Sequence, residues 1–376
     1  MSNPTRVGVV GCGLIAQVMH LPYLTELHDR FEIVALCDVS ESVAHQCGER
    51  FGVTNIHSRW QDLLGEDLDA VMVLTSGDHG PIAVEAARAG MHVFVEKPMA
   101  LSSAECAAMV EAADAADVRL MVGTMKRYDP AYERLGELMT DHRDDVRLAR
   151  VTTLESPFSP YVAHYPLIGP EPIPAEIREE LQAADERTLD AALGDADEET
   201  RWCYRWILLD NLVHEFNALR GVLGEPTEVV FASLGRSCVS VNLRFADTEC
   251  HLSWVDLPGI ARYAQEFAFY APDQRLTLKL PSPFLRSAPS RLVVEGGKPG
   301  GIHSWEREEI VSYQEAFKRE LEEFADCIVT GREPRTSGRD GMADVALCEA
   351  VARAHQGLPP DLALDVPACG GVGAAR

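Results

Sequence analysis

Short, continuously apolar runs recur through residues 1–125: RVGVVG (6–11), FEIVALCD (31–38), DAVMVLT (69–75), MHVFVE (91–96) and VRLMVG (118–123). Helix-like stretches at 14–28, 41–51, 80–90 and 102–116 separate them. Apolar strands alternating with helices predict a parallel sheet covered on both faces and joined by right-handed crossovers. The expected fold class is α/β, with an N-terminal doubly wound (Rossmann) domain over 1–125.

The texture changes after the helical stretch 126–142. Segments 146–155, 227–235, 238–246, 249–257, 263–271 and 274–280 follow one another, alternating apolar and polar residues as in VSVNLRFAD and CHLSWVD. This period predicts a large, mostly antiparallel open sheet with one exposed face. Helices are expected at 312–331 and 338–357. The second domain is therefore an α+β unit over 126–365, and 366–376 reads as a flexible tail. Residues 157–206 break the pattern, passing from the proline-rich PFSPYVAHYPLIGPEPIP through an acidic helical run to RWCYRW. They are expected to form an insert of one loop and one or two helices.

Composition removes several classes of partner. The chain has 34 basic and 59 acidic residues, a net charge of −25. Such a surface repels nucleic-acid phosphates and anionic membranes. No apolar run approaches the ~20 residues that span a bilayer, and MSNPTRVGVVG enters a strand without a secretory apolar region. The 10 cysteines are scattered without a C-x-x-C pair. Reduced thiols in a cytoplasm are expected, with neither a disulfide framework nor a metal site.

The first candidate chemistry is VGVVGCGLIAQ. Gly11, Gly13 and Ala16 form G-x-G-x-x-A between a strand and a helix. The first glycine permits the tight turn and the second the approach of a pyrophosphate. The small third residue lets helix and strand pack closely. The amides at Leu14 and Ile15 open the helix and are donors for phosphate. Asp38 ends the next strand where a ribose-binding acid is expected, its bland alternative being a helix cap. CDVSES holds no Arg or Lys for a 2′-phosphate, so NAD is favoured over NADP. Thr75, Ser76 and His79, after the third long strand, are counted with the cofactor residues.

In RWILLDNLVHEFNAL, Asp210 and His214 stand four apart in a helix-like segment, which puts them on one face. A histidine beside a carboxylate can act as general acid or base. Glu215 and Asn217 read as solvated helix residues. Trp202, Tyr204 and Trp206 could stack on a ring-shaped ligand, or could equally serve packing. VFVEKP ends an apolar strand on Glu96, Lys97 and Pro98, leaving Lys97 as either a solvated exit or a crevice residue.

Together these segments resemble the Gfo/Idh/MocA oxidoreductases, the group of glucose–fructose oxidoreductase and myo-inositol dehydrogenase. GVVGCGLIA is similar to the family's opening turn, VFVEKPMALS to its E-K-P motif, and GTMKRYDPAY to the segment entering its second domain. LLDNLVHEFNAL is similar to D-x-G-x-H-x-x-D, with Leu212 for the glycine and Asn217 for the last acid. Asp78, His79 and Pro81 depart from the N-x-x-H usual after the third long strand. The resemblance implies an NAD(P)-dependent enzyme moving a hydride between nicotinamide and a secondary hydroxyl or ketone of a sugar or cyclitol. It implies catalytic Lys97, Asp210 and His214, cofactor contacts from Glu96 and Lys97, and a cis peptide before Pro98. Substrate contacts would come from Lys126, Arg127 and Tyr128, joined by Trp202 and Trp206, and the chain would form a homodimer or homotetramer. Some relatives are nicotinamide-bound regulators or NAD-dependent eliminating glycosidases, which are the alternative functions.

Overall fold

The structure is a computed structural model that describes residues 3–140, 142–169, 173, 175–360 and 362; the expected tail 366–376 lies outside the described residues. Two compact units emerge. The first comprises residues 1–124, 165–194 and 317–345; the second comprises 125–164, 195–316 and 346–376. The chain first leaves the first unit between residues 124 and 125, and neither unit is one continuous stretch. Part of the insert and one closing helix return to the first unit.

In the first unit, β1 (Thr5–Val10), β2 (Phe31–Cys37), β3 (Asn55–His57), β4 (Ala70–Val73), β5 (His92–Glu96) and β6 (Leu120–Gly123) form one sheet in the order β3-β2-β1-β4-β5-β6. Every pairing is parallel. The short β3 escaped the hydrophobic pattern because NIH is half exposed. Strand order reverses between β1 and β4, and in open α/β sheets ligands bind outside the carboxyl ends at such a point.

Helix Ala316–Thr330 covers this sheet because Phe317, Leu321 and Phe324 form an apolar stripe at i, i+4 and i+7. Phe324 stacks on Phe31 at 6.5 Å and meets Phe94 edge-on at 5.7 Å. Burial of each such side chain contributes about 1.5–3 kcal/mol. These contacts explain why a helix expected in the second domain belongs to the first. Thr336 then ties the return to β6, donating its hydroxyl to Val122 O (2.7 Å) and accepting the Val122 N–H at its own carbonyl (2.8 Å).

The second unit holds β7 (Leu148–Glu155), β8 (Glu228–Ser233), β9 (Cys238–Phe245), β10 (Thr248–Asp256), β11 (Ala264–Tyr270), β12 (Gln274–Leu280), β13 (Arg291–Gly297) and β14 (Ser304–Glu309). Their order is β14-β13-β12-β11-β7-β10-β9-β8. The sheet is mixed, since β10 pairs β7 in parallel. After β7 the chain makes its long excursion, re-enters the sheet at the β8 edge and returns beside β7 with β10. β13 and β14 were not anticipated; SWEREE is exposed along its length and carries no apolar alternation. Helix Pro130–Met139 packs on β12 and β13. The expected helix 126–142 is thus a 3-10 turn, Met125–Tyr128, followed by this α-helix, capped by the Asp129 carboxylate. Among the described residues the cysteines are unbridged, and no helix is long and apolar enough to cross a membrane.

Arg127 is fully buried and donates from Nη1 to Asn217 O (3.0 Å), while the Tyr132 hydroxyl donates to Ala218 O (2.8 Å). Both side chains lie against Gly221, where an added Cβ would stand 2.3 Å from Tyr132 Oη and 2.5 Å from Arg127 Cζ. Gly221→Ala is expected to lower unfolding free energy by about 1–3 kcal/mol through overpacking. Urea unfolding measures this, and an unchanged midpoint would remove the packing argument.

Candidate functional site

The dinucleotide turn is built as its sequence implies. Gly11 has φ 100°, and a Cβ there would meet Leu74 C and Thr75 N at 2.7 Å. Only glycine lets β1 exit so close to the end of β4. Gly13 faces open space, with nothing within 4 Å of an added Cβ, at the start of the following helix. Asp38 accepts from Cys12 N through Oδ2 (2.8 Å) and from Ser40 N through Oδ1 (2.8 Å). It is not the helix cap; Ser40 is, accepting from Val43 N. Asp38 therefore fastens the end of β2 to the G-x-G turn and stays half-exposed. The tight turn, the open glycine, and the acid at the end of β2 fit a dinucleotide.

Lys97 follows directly from β5, at the carboxyl edge of the sheet, and is half-buried. The Lys97–Pro98 peptide is cis, as the resemblance implies. The residues around this point differ from the expectation that Glu96 and His79 touch cofactor. His79 is 1% exposed, with Nδ1 against Pro98 O (2.9 Å) and Nε2 against Thr75 O (2.6 Å). It clamps the E-K-P segment to the chain leaving β4. Glu96 is 5% exposed; its Oε1 accepts from His20 Nε2 (2.6 Å) and its Oε2 from the Lys97 N–H (3.0 Å). Thr75 and Ser76 remain at the edge, half-exposed and exposed.

Glu320 completes a buried triad with His20 and Glu96, whose ligand-type atoms lie within 4.8 Å of one another. It is the group of described residues whose spacing would suit a metal ion. The direct 2.6 Å bond makes His20 and Glu96 partners of each other. Neither Glu320 oxygen has a hydrogen-bond partner, and His20 sits edge-on to Phe94 (5.3 Å) and Phe317 (5.7 Å). Burial first, and then the charge on Glu96, pushes the Glu320 carboxyl well above its ordinary range. An isolated carboxylate in such surroundings stays protonated.

The second unit carries the other candidates. Asp210 lies in a π-helical stretch, Tyr204–Leu212, and His214 in the α-helix Val213–Leu223 that continues it. The π turn closes hydrogen bonds at i→i+5. The regular α-helical step that placed Asp210 and His214 on one face therefore does not run through Asp210. Both residues are half-buried. Trp206 is half exposed under the Arg205 guanidinium at 4.6 Å, and Trp202 lies beneath Arg236 at 5.0 Å. Tyr204 is wholly buried and packs the core. Arg127 and Tyr128 are buried too, and Arg127 fastens helix Val213–Leu223 instead of lining a pocket.

Sequence reasoning missed a polar network around Lys126. Glu215, read as solvated, is 1% exposed; its Oε2 lies 3.7 Å from Lys126 Nζ, and its Oε1 accepts from Thr153 Oγ1 (2.6 Å) and Gln265 Nε2. Burial raises the Glu155 carboxyl against the pull of its bond from Ser156 N and of Lys126. Burial, with the charges of Glu215 and Glu155, holds the Tyr263 hydroxyl well above the phenol range. The available signal was Thr153 and Gln265, polar residues at apolar positions of the β7 and β11 alternation.

The Glu320 proton has a measurable consequence. The folded protein keeps a proton that the unfolded chain releases above pH 4.5. Stability therefore falls as pH rises beyond that value. Glu320→Gln, which cannot ionise, should gain stability relative to wild type between pH 5 and pH 8 in urea unfolding. Parallel pH profiles for the two proteins would refute a neutral Glu320.

Residues 5–124 match the model of an oxidoreductase family with an NAD-binding Rossmann fold, Gfo/Idh/MocA. The chain is 28% identical over 362 residues to inositol 2-dehydrogenase 3 of Saccharopolyspora erythraea, covering 96% of each chain. It is 25% identical over 364 residues to myo-inositol 2-dehydrogenase of Thermotoga maritima, covering 91% of this chain and 93% of that one. Among solved structures, a 3-ketoreductase from Actinomadura kijaniata with NADP superposes with a TM-score of 0.69 at 21% identity, covering 94% of this chain and 98% of that one. Levoglucosan dehydrogenase with NADH gives 0.71 at 17% identity, covering 94% and 97%. With the parallel sheet, the G-x-G turn and the Glu96-Lys97-cis-Pro98 exit in place, residues 5–124 match the NAD-binding Rossmann domain of the Gfo/Idh/MocA oxidoreductases, and the chain is similar to inositol dehydrogenases over nearly its whole length.

Proposed function

We propose that this protein is a nicotinamide-dependent dehydrogenase or reductase acting on a secondary hydroxyl or ketone of a sugar or cyclitol. The observation that carries the reading is Lys97, delivered by β5 to the same carboxyl edge at which Gly11 and Gly13 open the dinucleotide turn. Similarity to inositol dehydrogenases over nearly the whole chain supports the substrate class. Asp38, with Val39 and Ser40 beside it and no adjacent cation in sequence, supports NAD over NADP.

The nicotinamide supplies the acceptor for the hydride. The remaining work falls to side chains. Lys97, as an ammonium, donates a hydrogen bond to the oxygen that gains charge, an interaction strongest where water is excluded. Its backbone is held by Glu96, so the charge need not be reoriented during reaction. His214 removes the hydroxyl proton in the oxidative direction and returns it in the reductive one. Asp210 orients the substrate or the histidine. Lys126, beside Glu215, and the indoles of Trp202 and Trp206 are the proposed substrate contacts.

His214→Ala should lower kcat by about 10²–10⁴ while leaving NADH binding intact, as expected for loss of a general base. Lys97→Met should cost about 10²–10³ in kcat, the scale of a lost donor to a developing oxyanion. Inositols, glycosides and nucleotide sugars with NAD, followed by absorbance of NADH, give the assay. Wild-type turnover with both variants unaffected would sink the mechanism. Product without NADH accumulation would point to an eliminating glycosidase, and binding without turnover to a regulator. A kcat/KM higher with NADP than with NAD would overturn the role given to Asp38.

A further inference from the structure

We infer that two buried histidines, His20 and His79, are positioning residues that aim Lys97, one acting on the residue before it and the other on the residue after. This role rests on the reading of Lys97 given above and deepens it. The hydride chemistry itself uses neither ring.

β5 ends at Glu96, so Lys97 leaves the sheet on an irregular segment whose direction no ladder sets. A misplacement of about 1 Å at a reacting centre can cost about 10² in rate. The exit is held from both sides. His20 closes the π turn Ala16–His20 and sets Nε2 2.6 Å from Glu96 Oε1, and Glu96 Oε2 accepts the Lys97 N–H at 3.0 Å. His79 stands just before helix Gly80–Arg88 and sets Nδ1 2.9 Å from Pro98 O and Nε2 2.6 Å from Thr75 O. The residues on either side of Lys97 are therefore tied to rings from different helical segments. Because Thr75 follows β4, His79 also joins the exits of two neighbouring strands.

Burial makes these ties hard to replace. His20 is 0% exposed and His79 1%. Phe94 and Phe317 meet the His20 ring edge-on at 5.3 and 5.7 Å, so apolar rings flank the donor that Glu96 uses. On the neighbouring strand Gly123 pairs with Glu96, and an added Cβ there would stand 3.3 Å from Glu96 Oε1. The carboxylate thus has little room to swing toward β6. Removing the His20 donor leaves Glu96 Oε1 buried without its partner, a cost that the strand exit relieves by rearranging.

Amide exchange and kinetics together test the two histidines. In the cofactor-free full chain, hydrogen exchange at the Lys97 N–H should be slow, and His20→Leu should speed it about tenfold, the effect of losing about one net hydrogen bond. With NAD and whichever inositol, glycoside or nucleotide sugar turns over, His20→Leu and His79→Leu should each lower kcat about 10–100-fold and leave KM for NAD near its wild-type value. His20→Gln, which returns an N–H donor to Glu96, should recover most of that loss. In a Lys97→Met background neither leucine change should lower kcat further, because no ammonium is left to aim. A fast-exchanging Lys97 N–H in wild type would overturn the positioning role without any variant having to fold. So would unchanged kcat in both leucine variants, or losses that persist in full beside Lys97→Met. A KM for NAD that rises as much as kcat falls would do the same, since damage to the sheet moves both. If Lys97→Met alone left turnover untouched, the reading of Lys97 would fall first, and the histidines would have nothing to aim.

Discussion

A carboxylate taken out of water must be met by donors, and in this protein that constraint falls on Glu96. Loss of its solvation would cost several kcal/mol if nothing replaced it. His20 meets one oxygen and the Lys97 N–H meets the other. The second bond carries the constraint to the strand exit, because satisfying the buried carboxylate also fixes the backbone from which Lys97 projects. The surrounding helices are arranged to allow it. The helix after the dinucleotide turn contributes His20, β5 contributes the Phe94 ring, and helix Ala316–Thr330 contributes the Phe317 ring and the neutral acid beside the pair.

Both candidate catalytic regions are reached through π-helical turns. One spans Ala16–His20, after the dinucleotide loop; the other spans Tyr204–Leu212, which holds Asp210. Such turns insert a residue into an α-helical ladder and often occur at functional sites. In the first unit the π turn includes both Gln17, which reaches Cys12 and Ile168, and His20, which reaches Glu96. Two side chains of one short segment therefore serve different ends, the turn above and the charge below.

The parallel sheet was legible because buried parallel strands are apolar on both faces and are separated by helices of ordinary length. The G-x-G-x-x-A turn and the E-K-P exit were legible because each needs a residue type with few substitutes: glycine at φ 100° for Gly11, and proline for the cis bond. Other features were hidden for identifiable reasons. β14 is stabilised by pairing with β13, and its charged residues show no hydrophobic period. Glu215 looked solvated because a single acid in a helix gives no sign of Thr153 and Gln265, which approach from distant strands. His79 and Glu96 were assigned to the cofactor from their place in a motif, whereas their hydrogen bonds face inward. The π turn at Asp210 has no sequence period at all.

The chain passes between the two units five times, at 124/125, 164/165, 194/195, 316/317 and 345/346. β6 forms early in the chain, yet its outer hydrogen-bond partner is Thr336, and the rings over β2 and β5 belong to residues 317–324. During synthesis the dinucleotide-binding sheet therefore waits for nearly the entire chain before its last edge and one face are covered. Neither unit corresponds to a continuous segment that could be cut out as a gene fragment. A contact order this high favours slow, cooperative folding, with an unfinished first sheet as the exposed species.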